Sequence, residues 1–226
     1  MFPGPLSNRA FLSLKDAILN LAYSPGEALR KPEICEALGV SRSPVSEAIT
    51  KLAAEGLVKV IPQAGTYVAR FSMDEIREGA FLRESLELGA VEYLAESITP
   101  EQLALLKRNL VIQKALLDAG DVAGFYKMDA EMHRLLMEFT GFKRLGQIAE
   151  TSWVHVNRAR QLILPEPGRV EATIEEHRRI VEALGARDAD AARKATRAHL
   201  RQLIRYLEPL ERERPDLFEP RKPARP

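Results

Sequence analysis

The sequence predicts a mainly α-helical protein with one small β-hairpin. Apolar residues recur at helical spacing through most of the chain, and two short β-like runs occur only within the first 70 residues. Glycine and proline residues divide the helical runs into segments of ordinary length. These patterns predict an N-terminal domain over residues 1–72, an all-α bundle of six to seven helices over 73–212 and a disordered tail over 213–226.

Three helices and a hairpin are expected in the first domain, after a disordered lead over residues 1–8. The expected helices are Phe11–Tyr23, Pro32–Gly39 and Ser41–Glu55, and the expected strands are Leu57–Ile61 and Thr66–Ala69. Ser41 is a plausible N-cap, and Gly39 and Gly56 follow the second and third helical runs. Three helices and a hairpin in this order make a winged helix-turn-helix.

The rest of the chain shows helical periodicity without strand signals. Helices are expected near 74–97, 100–118, 121–139, 142–164, 168–184 and 188–208. Prolines and glycines such as Pro100, Gly120 and Pro165 punctuate these runs, and acidic Asp188 lies where the last one starts. The pattern predicts an α-helical bundle.

Composition excludes several classes of protein. The 226 residues are 46% hydrophobic and 29% charged, which is ordinary for a globular protein. No apolar run is long enough for a membrane span, and no secretion signal is seen. The one cysteine, Cys35, cannot form an internal disulfide, so a cytoplasmic protein is expected. The net charge is +1. Residues 1–72 are slightly basic and residues 73–212 slightly acidic, a distribution that is compatible with DNA binding.

Several motifs resemble those of one family of bacterial regulators. The segment LGVSRSPVSEAITKLAAEGLVKVIPQAGTYVA and the upstream PGEALR resemble the winged helix-turn-helix of GntR-type transcription regulators. The later motifs DAEMH, EHRRIVEAL and RAHL resemble the ligand-sensing helical domain of the FadR branch (the FCD domain). Together the resemblances cover roughly residues 10–208.

The resemblance implies a set of DNA-reading residues around the third helix. They are Arg30, Ser41, Arg42, Ser43, Ser46 and Gly65. A recognition helix presents its first turns to the major groove, where Arg42 can pair with guanine O6 and N7. Gly65 would let the wing tip approach the minor groove. Ser46 departs from the family, which usually has arginine there, so either a different operator from the family's usual one or a lower affinity is expected.

Simpler interpretations of the same residues stay open. Ser41 and Ser43 are also suited to capping a helix, and Arg42 to a solvated surface charge. A hairpin turn needs a glycine such as Gly65 whether or not DNA is near. The predicted hairpin and the upstream PGEALR segment, which also resemble the family, favour DNA binding.

Four residues of the second domain form a candidate metal site. Asp129 and His133 are four apart in a helical run, so both leave one face of the helix. His177 and His199 lie in later helical runs beside apolar stripes. Such residues also occur as hydrogen-bonded helix-face pairs or as satisfied core histidines. The resemblance implies that all four are ligands of a divalent metal, with zinc first and nickel, iron or manganese as alternatives.

Two arginines are candidates for binding an effector beside that metal. Arg83 lies on a mainly apolar helix face, where its simplest partner is Glu87 at i+4. The resemblance implies that Arg83 faces the ligand cavity, and Arg160 is a weaker candidate on an apolar face of its own. Guanidinium groups bind carboxylates well. The fourth histidine, His155, has no partner motif and is interpreted as structural or exposed.

The sequence therefore predicts a metabolite-responsive transcription regulator rather than an enzyme. It is expected to bind a palindromic operator in double-stranded DNA as a homodimer, without contacting a membrane, and to act as a repressor. A small carboxylate at the metal would control operator affinity. The alternatives are a metal-dependent enzyme acting on an organic or sugar acid, a direct metal sensor, and a protein-interaction module that does not bind DNA.

Overall fold

The computed structural model describes residues 4–220, except for the side chain of residue 150. These residues form two compact units. One contains the residues up to Met73 together with those from Leu210 onward, and the other is Asp74–Pro209. The chain therefore crosses between the units twice.

The N-terminal unit is a winged helix-turn-helix, as predicted. Its elements are α1 (Leu6–Leu19), α2 (Lys31–Leu38), α3 (Arg42–Ala54), β1 (Val58–Ile61) and β2 (Gly65–Val68). Helix α1 begins and ends four to five residues earlier than the sequence predicts, so the expected lead over 1–8 is wrong for residues 6–8. Residues 1–3 lie outside the described residues.

Apolar faces of α1 and α3 form the core of this unit. The buried side chains on these two helices are Ala10, Leu14, Ile18, Val45, Ala48, Ile49 and Leu52. They recur every four residues on α1 and at i, i+3, i+4 and i+7 on α3, which places them on one face of each helix. This packing fixes α3 and leaves its opposite face to solvent.

The two strands form an antiparallel hairpin, the wing. Val58 pairs with Val68, and Ile61 pairs with Gly65 at the tip. Gly65 has φ +127°, in the region that favours glycine, so its backbone conformation accounts for the residue at this turn.

The second unit is all helical. Its helices are α4 (Met73–Ser97), α5 (Pro100–Asp118), α6 (Val122–Phe139), α7 (Lys143–Ser152), α8 (Val154–Ile163), α9 (Arg169–Gly185), α10 (Ala189–Leu200) and α11 (Gln202–Glu213). The ends of α4 and α11 extend into the N-terminal unit. Side chains of Thr99, Asp121 and Asp188 cap α5, α6 and α10. No helix among the described residues is long and apolar enough to cross a membrane.

Two of the six predicted helical runs are each divided in two. The run near 142–164 is interrupted at Trp153, and the run near 188–208 is interrupted at Arg201. Neither residue is a glycine or proline, so the sequence carries no local signal for either break. Pro209 lies inside α11, where it lacks the N–H that would bond the preceding turn.

The expectation of a disordered tail over 213–226 is wrong for residues 213–220. Glu213 ends α11, and a 3-10 turn at Pro215–Leu217 leads into a short extended segment. Phe218 is buried against Phe71, and the backbone N–H of Phe71 donates to Leu217 O at 2.9 Å. Glu219 also donates its N–H to Phe71 O at 2.8 Å. An apolar side chain and paired backbone groups therefore hold this segment, and residues 221–226 lie outside the described residues.

Candidate metal centre and nucleic-acid interface

The four candidate metal ligands meet at one point inside the helical unit. Asp129 and His133 extend from α6, His177 from α9 and His199 from α10. All four residues are buried. One donor atom from each lies within 4.8 Å of every other.

The donor atoms are the three Nε2 atoms and one carboxylate oxygen. His199 Nε2 lies 3.2 Å from His133 Nε2 and 3.3 Å from His177 Nε2. Asp129 Oδ1 lies 3.3 Å from His177 Nε2 and 3.9 Å from His133 Nε2. Donors around a single ion with bonds near 2.1 Å would be separated by roughly 3.0–3.4 Å. Three of the four quoted separations lie in this range, and the pair at 3.9 Å is wider, so the four donors are close to the spacing that one shared ion would need.

The other ring nitrogen of each histidine contacts an oxygen atom. His133 Nδ1 lies 2.7 Å from Glu87 Oε2, and His199 Nδ1 lies 2.7 Å from Glu176 Oε2. His177 Nδ1 lies 2.9 Å from Gln113 Oε1. Oxygens of carboxylates and amides accept hydrogen bonds, so these contacts assign the ring proton to Nδ1 in all three histidines.

This tautomer turns three lone pairs toward one another. A neutral imidazole protonated at Nδ1 carries its acceptor lone pair on Nε2. The three Nε2 atoms face each other and a carboxylate oxygen that accepts no hydrogen bond from the described residues. Electron-rich atoms held this close repel one another unless a cation lies among them. The arrangement suits a divalent metal ion.

Further buried groups hold the hydrogen-bond acceptors in place. Arg83 Nε donates to Glu87 Oε1 at 2.6 Å. Arg169 contacts both oxygens of Glu176, at 2.9 and 2.7 Å. The amide of Gln113 donates to Asn109 Oδ1 at 2.6 Å, which orients its oxygen toward the histidine. Such supporting contacts fix ring orientation in metal sites.

Burial keeps the histidines neutral. It lowers the pKa of His133 and His177, and it lowers the pKa of His199 to about 4. Burial alone would raise the pKa of Glu87, but His133 and Arg83 outweigh it and lower that pKa. The pKa of Glu176 is lowered in the same way, by Arg169 and His199. The imidazoles are therefore neutral and these two carboxyls ionised near pH 7.

The two candidate effector-binding arginines both lie at this cluster. Arg160 forms a close ion pair with Asp129, and its guanidinium lies over the Tyr126 ring. Burial lowers the pKa of Arg160 to about 9, so it stays charged. Arg83 packs over Trp153, and its Nη2 is buried without a hydrogen-bond partner among the described residues. An unpartnered buried guanidinium nitrogen is suited to an anion.

Three functional side chains of this cluster were not predicted as such. Glu87 appeared in the sequence only as an ion-pair partner of Arg83, whereas it also contacts His133. Gln113 lies in no quoted motif, and Glu176 is the first residue of EHRRIVEAL but was not given a role there. The i+4 spacing of Arg83 and Glu87 gave one clue, but the contacts with the histidines join residues 23, 46 and 64 positions apart. His155 is half-buried, with Nδ1 3.8 Å from Glu75 Oε2, outside the cluster.

The predicted DNA-reading residues lie on the exposed side of the N-terminal unit. Ser41, Arg42 and Ser43 are exposed at the start of α3, and Arg42 forms no ion pair with a described residue. Arg30 is exposed and pairs with Glu33 at 3.1 Å. Ser41 occupies the N-cap position, but its side chain makes no capping hydrogen bond.

Two further contacts shape this surface. Ser46 is partly buried and accepts a hydrogen bond from Lys31 Nζ at 3.3 Å. Gly65 is exposed at the wing tip, with the side chain of Tyr67 beside it. The helix and the wing therefore present polar and positively charged groups to solvent, the chemistry that contacts with DNA need.

The sequence also matches known families and relatives. Residues 6–68 match the family of bacterial regulatory proteins named gntR, and residues 78–202 match the FCD domain. A chain from Streptomyces ambofaciens, named as an uncharacterized HTH-type transcriptional regulator in an unstable DNA locus, is 35% identical over 92% of this chain and 87% of its own length. The HTH-type transcriptional repressor RspR of Escherichia coli is 29% identical over 95% of this chain and 94% of its own.

A solved structure shares the fold. The structure of E. coli McbR/YncC has a TM-score of 0.78 and 24% identity, covering 92% of this chain and 99% of that one. The relatives are named as regulators, and the match to an FCD domain spans more than half of the chain. The chain is therefore a transcription regulator rather than an enzyme, and it belongs to the GntR family, with a C-terminal FCD domain.

Proposed function

We propose that this regulator is a repressor whose operator affinity is controlled by a small carboxylate bound at a divalent metal ion. Asp129, His133, His177 and His199 would hold the ion. The observation that carries the proposal is the convergence of three Nε2 lone pairs and one carboxylate oxygen on a shared point. Bound there, the metal would act as a Lewis acid that attracts an anionic ligand. Zinc is the first candidate because three imidazoles and a carboxylate are donors it accepts.

The charges around the cluster favour an effector with two negative charges. Three buried or largely buried carboxylates contact the histidines or belong to the donor set, namely Asp129, Glu87 and Glu176. Three buried guanidiniums pair with them, and they are Arg160, Arg83 and Arg169. These six groups balance, so a divalent ion adds two uncompensated positive charges. Buried charges are costly unless they are paired, and a dicarboxylate would supply the balance.

The arginines give the effector a second point of attachment. Arg83 keeps one buried nitrogen without a partner among the described residues, so it is the better candidate for gripping a carboxylate. Arg160 is already paired with Asp129. Its first role in this proposal is to orient that carboxylate, with an effector contact as a second. Four protein donors leave two positions on a six-coordinate ion for effector oxygens.

DNA binding would be carried by the N-terminal unit of two chains in a cytoplasmic homodimer. Two half-sites of a palindrome need two recognition helices. Arg42 is the candidate for reading guanine, supported by Arg30, Ser41, Ser43 and the wing tip at Gly65. Arg42→Ala should cost about 1–3 kcal/mol of operator binding and relax discrimination at one base pair per half-site.

The central experiment compares operator affinity with and without malonate, in zinc-loaded and chelator-treated protein. Acetate serves as the matched monoanion. We expect malonate to weaken operator binding only when metal is present, with a coupling of about 1–3 kcal/mol. Operator should weaken malonate binding by the same factor, because coupling between two ligands is reciprocal. Arg83→Gln should weaken malonate binding while metal content stays near one ion per chain.

Two outcomes would contradict the proposal. An anion response that persists after metal removal would put the sensing site elsewhere. Operator affinity that follows zinc concentration alone would favour the direct metal sensor, which four buried protein donors also suit. His177→Ala should lose most of the metal and provides a metal-depleted protein without chelator. Its thermal unfolding is measured as well, so that loss of metal can be distinguished from loss of folding.

A further inference from the structure

The side chain of Lys31 extends from α2 to α3, the proposed recognition helix. It is the first residue of α2, and its Nζ donates to Ser46 Oγ at 3.3 Å. Ser46 lies four residues after Arg42, so the two share a face of α3. The lysine ammonium is therefore held at the same helix face that carries the candidate base-reading arginine.

This ammonium has no carboxylate partner among the described residues. The acidic residue closest to it in sequence, Glu33, pairs with Arg30 at 3.1 Å. On α3, Glu47 accepts from Ser43 Oγ at 3.5 Å. A neutral hydroxyl orients the ammonium without cancelling its charge, and an ammonium has three donors, of which Ser46 uses one. Two donors and the full charge remain for another acceptor.

We propose that Lys31 is a DNA-contacting residue, held in position by Ser46 and binding an oxygen of the duplex beside Arg42. That oxygen is either a backbone phosphate or guanine O6, both of which lysine contacts. Position 46 carries a neutral hydroxyl here, and Lys31 would supply a cation beside it. The inference rests on the proposed DNA binding and adds a residue that its motif residues do not include.

The test uses the full chain and a duplex enriched by the wild-type protein from a random-sequence library. Binding of Lys31→Met, Lys31→Arg and Ser46→Ala is measured from 0.05 to 1 M salt. If Lys31 binds a phosphate, Lys31→Met should reduce the salt slope by about 0.9 per bound chain, which is roughly an 8-fold loss of affinity at 0.1 M salt. If it binds guanine O6, the same variant should lose about 5- to 150-fold discrimination at one base pair.

Partner variants and a control make the result specific to this contact. Lys31→Arg should keep most of the affinity because the charge remains. Ser46→Ala should cause a smaller loss, and adding it to Lys31→Met should cause no further loss. Lys107→Met is the matched control, since Lys107 is exposed on α5 and forms no ion pair with a described residue.

The inference is overturned if Lys31→Met behaves like Lys107→Met while Arg42→Ala weakens binding. In that case DNA binding stands and Lys31 is only a structural partner of Ser46. If the wild-type protein enriches no duplex, the proposed DNA binding fails first, and the inference fails with it. The two failures are distinguished by the wild-type measurement alone.

Discussion

The recognition helix exposes its polar side chains, whereas the helical unit buries those of the candidate metal centre. Ser41, Arg42 and Ser43 face solvent, and few contacts hold them. Asp129 and His177 are fully buried, within a network in which each imidazole has an assigned partner. The start of the recognition helix is open to solvent, where a large anionic polymer can reach it. The donor atoms of the candidate metal centre are enclosed by the helical unit.

This difference in burial determines how strongly a substitution at each site should change the free energy of unfolding. Exposed charges cost little to keep and little to remove, because water screens them. Buried charges are stable only while every partner is present, so removing one leaves another uncompensated. Substitutions of the buried charged groups at the candidate metal centre should therefore affect folding, and those of the exposed residues on the recognition helix should mainly affect binding.

The largest effect is expected for Glu87→Ala. This change would leave the Arg83 guanidinium and the His133 Nδ1–H buried without their acceptor. We expect a loss of about 3–5 kcal/mol in the free energy of unfolding, measured by urea titration of chelator-treated protein. The matched control is Glu84→Ala on the same helix, where Glu84 pairs with the exposed Arg201. Equal losses for the two variants would contradict the role of burial.

The four candidate ligands could be named from the sequence, but the groups that contact them could not. Asp129 and His133 share a helix face at i+4, and the motifs around His177 and His199 supplied the rest. Glu176 adjoins His177 in sequence yet contacts His199, because successive helical residues point in different directions. Gln113 belongs to a helix without any motif. Contacts between distant helices depend on how the helices pack, which periodicity alone does not determine.

A second prediction concerns the C-terminal segment that contains Phe218. It tests whether a buried side chain also stabilises part of the N-terminal unit. Phe218→Ala would remove a buried ring that packs against Phe71 at a centroid distance of 5.7 Å. We expect a loss of about 1.5–3 kcal/mol in the docking of this segment. Amide hydrogen exchange of Phe71 and Glu219, which form the paired backbone bonds, measures it. Phe142→Ala, at an exposed ring, should leave both amides protected.

The tail shows why composition misled the sequence-based prediction. Its prolines and charges are typical of disordered segments. However, one buried aromatic residue and backbone hydrogen bonds to Phe71 are enough to order a short stretch. Phe71 and Phe218 are 147 positions apart, and nothing in either local pattern indicates that they pair. The contact between Lys31 and Ser46 was likewise not predicted, because it depends on the packing of α2 against α3.

A third prediction separates support of the metal from its ligation. Gln113→Ala would remove the oxygen that fixes the His177 ring while leaving all four donors in place. We expect metal affinity to fall about 10- to 100-fold, as for other outer contacts of metal sites. Competition with a chromogenic chelator measures the change, and Gln147→Ala at an exposed site of α7 is the control. Unchanged affinity in Gln113→Ala would show that packing alone orients the ring.

The smallest effect on stability is expected for a substitution of Ser41. This residue allows the proposed DNA contact to be tested against the simpler interpretation that the serine caps α3. The Ser41 side chain makes no capping hydrogen bond, whereas Thr99 forms a full capping box with Gln102. Thr99→Ala should therefore cost about 1 kcal/mol of stability, and Ser41→Ala less than about 0.5 kcal/mol. The same Ser41→Ala variant should still weaken operator binding if the start of α3 contacts DNA as proposed, because the hydroxyl lies there. Thermal unfolding and operator titration of both variants give the two readouts. If Ser41→Ala destabilises the protein as much as Thr99→Ala does and binds operator normally, Ser41 is a helix cap and not a DNA contact.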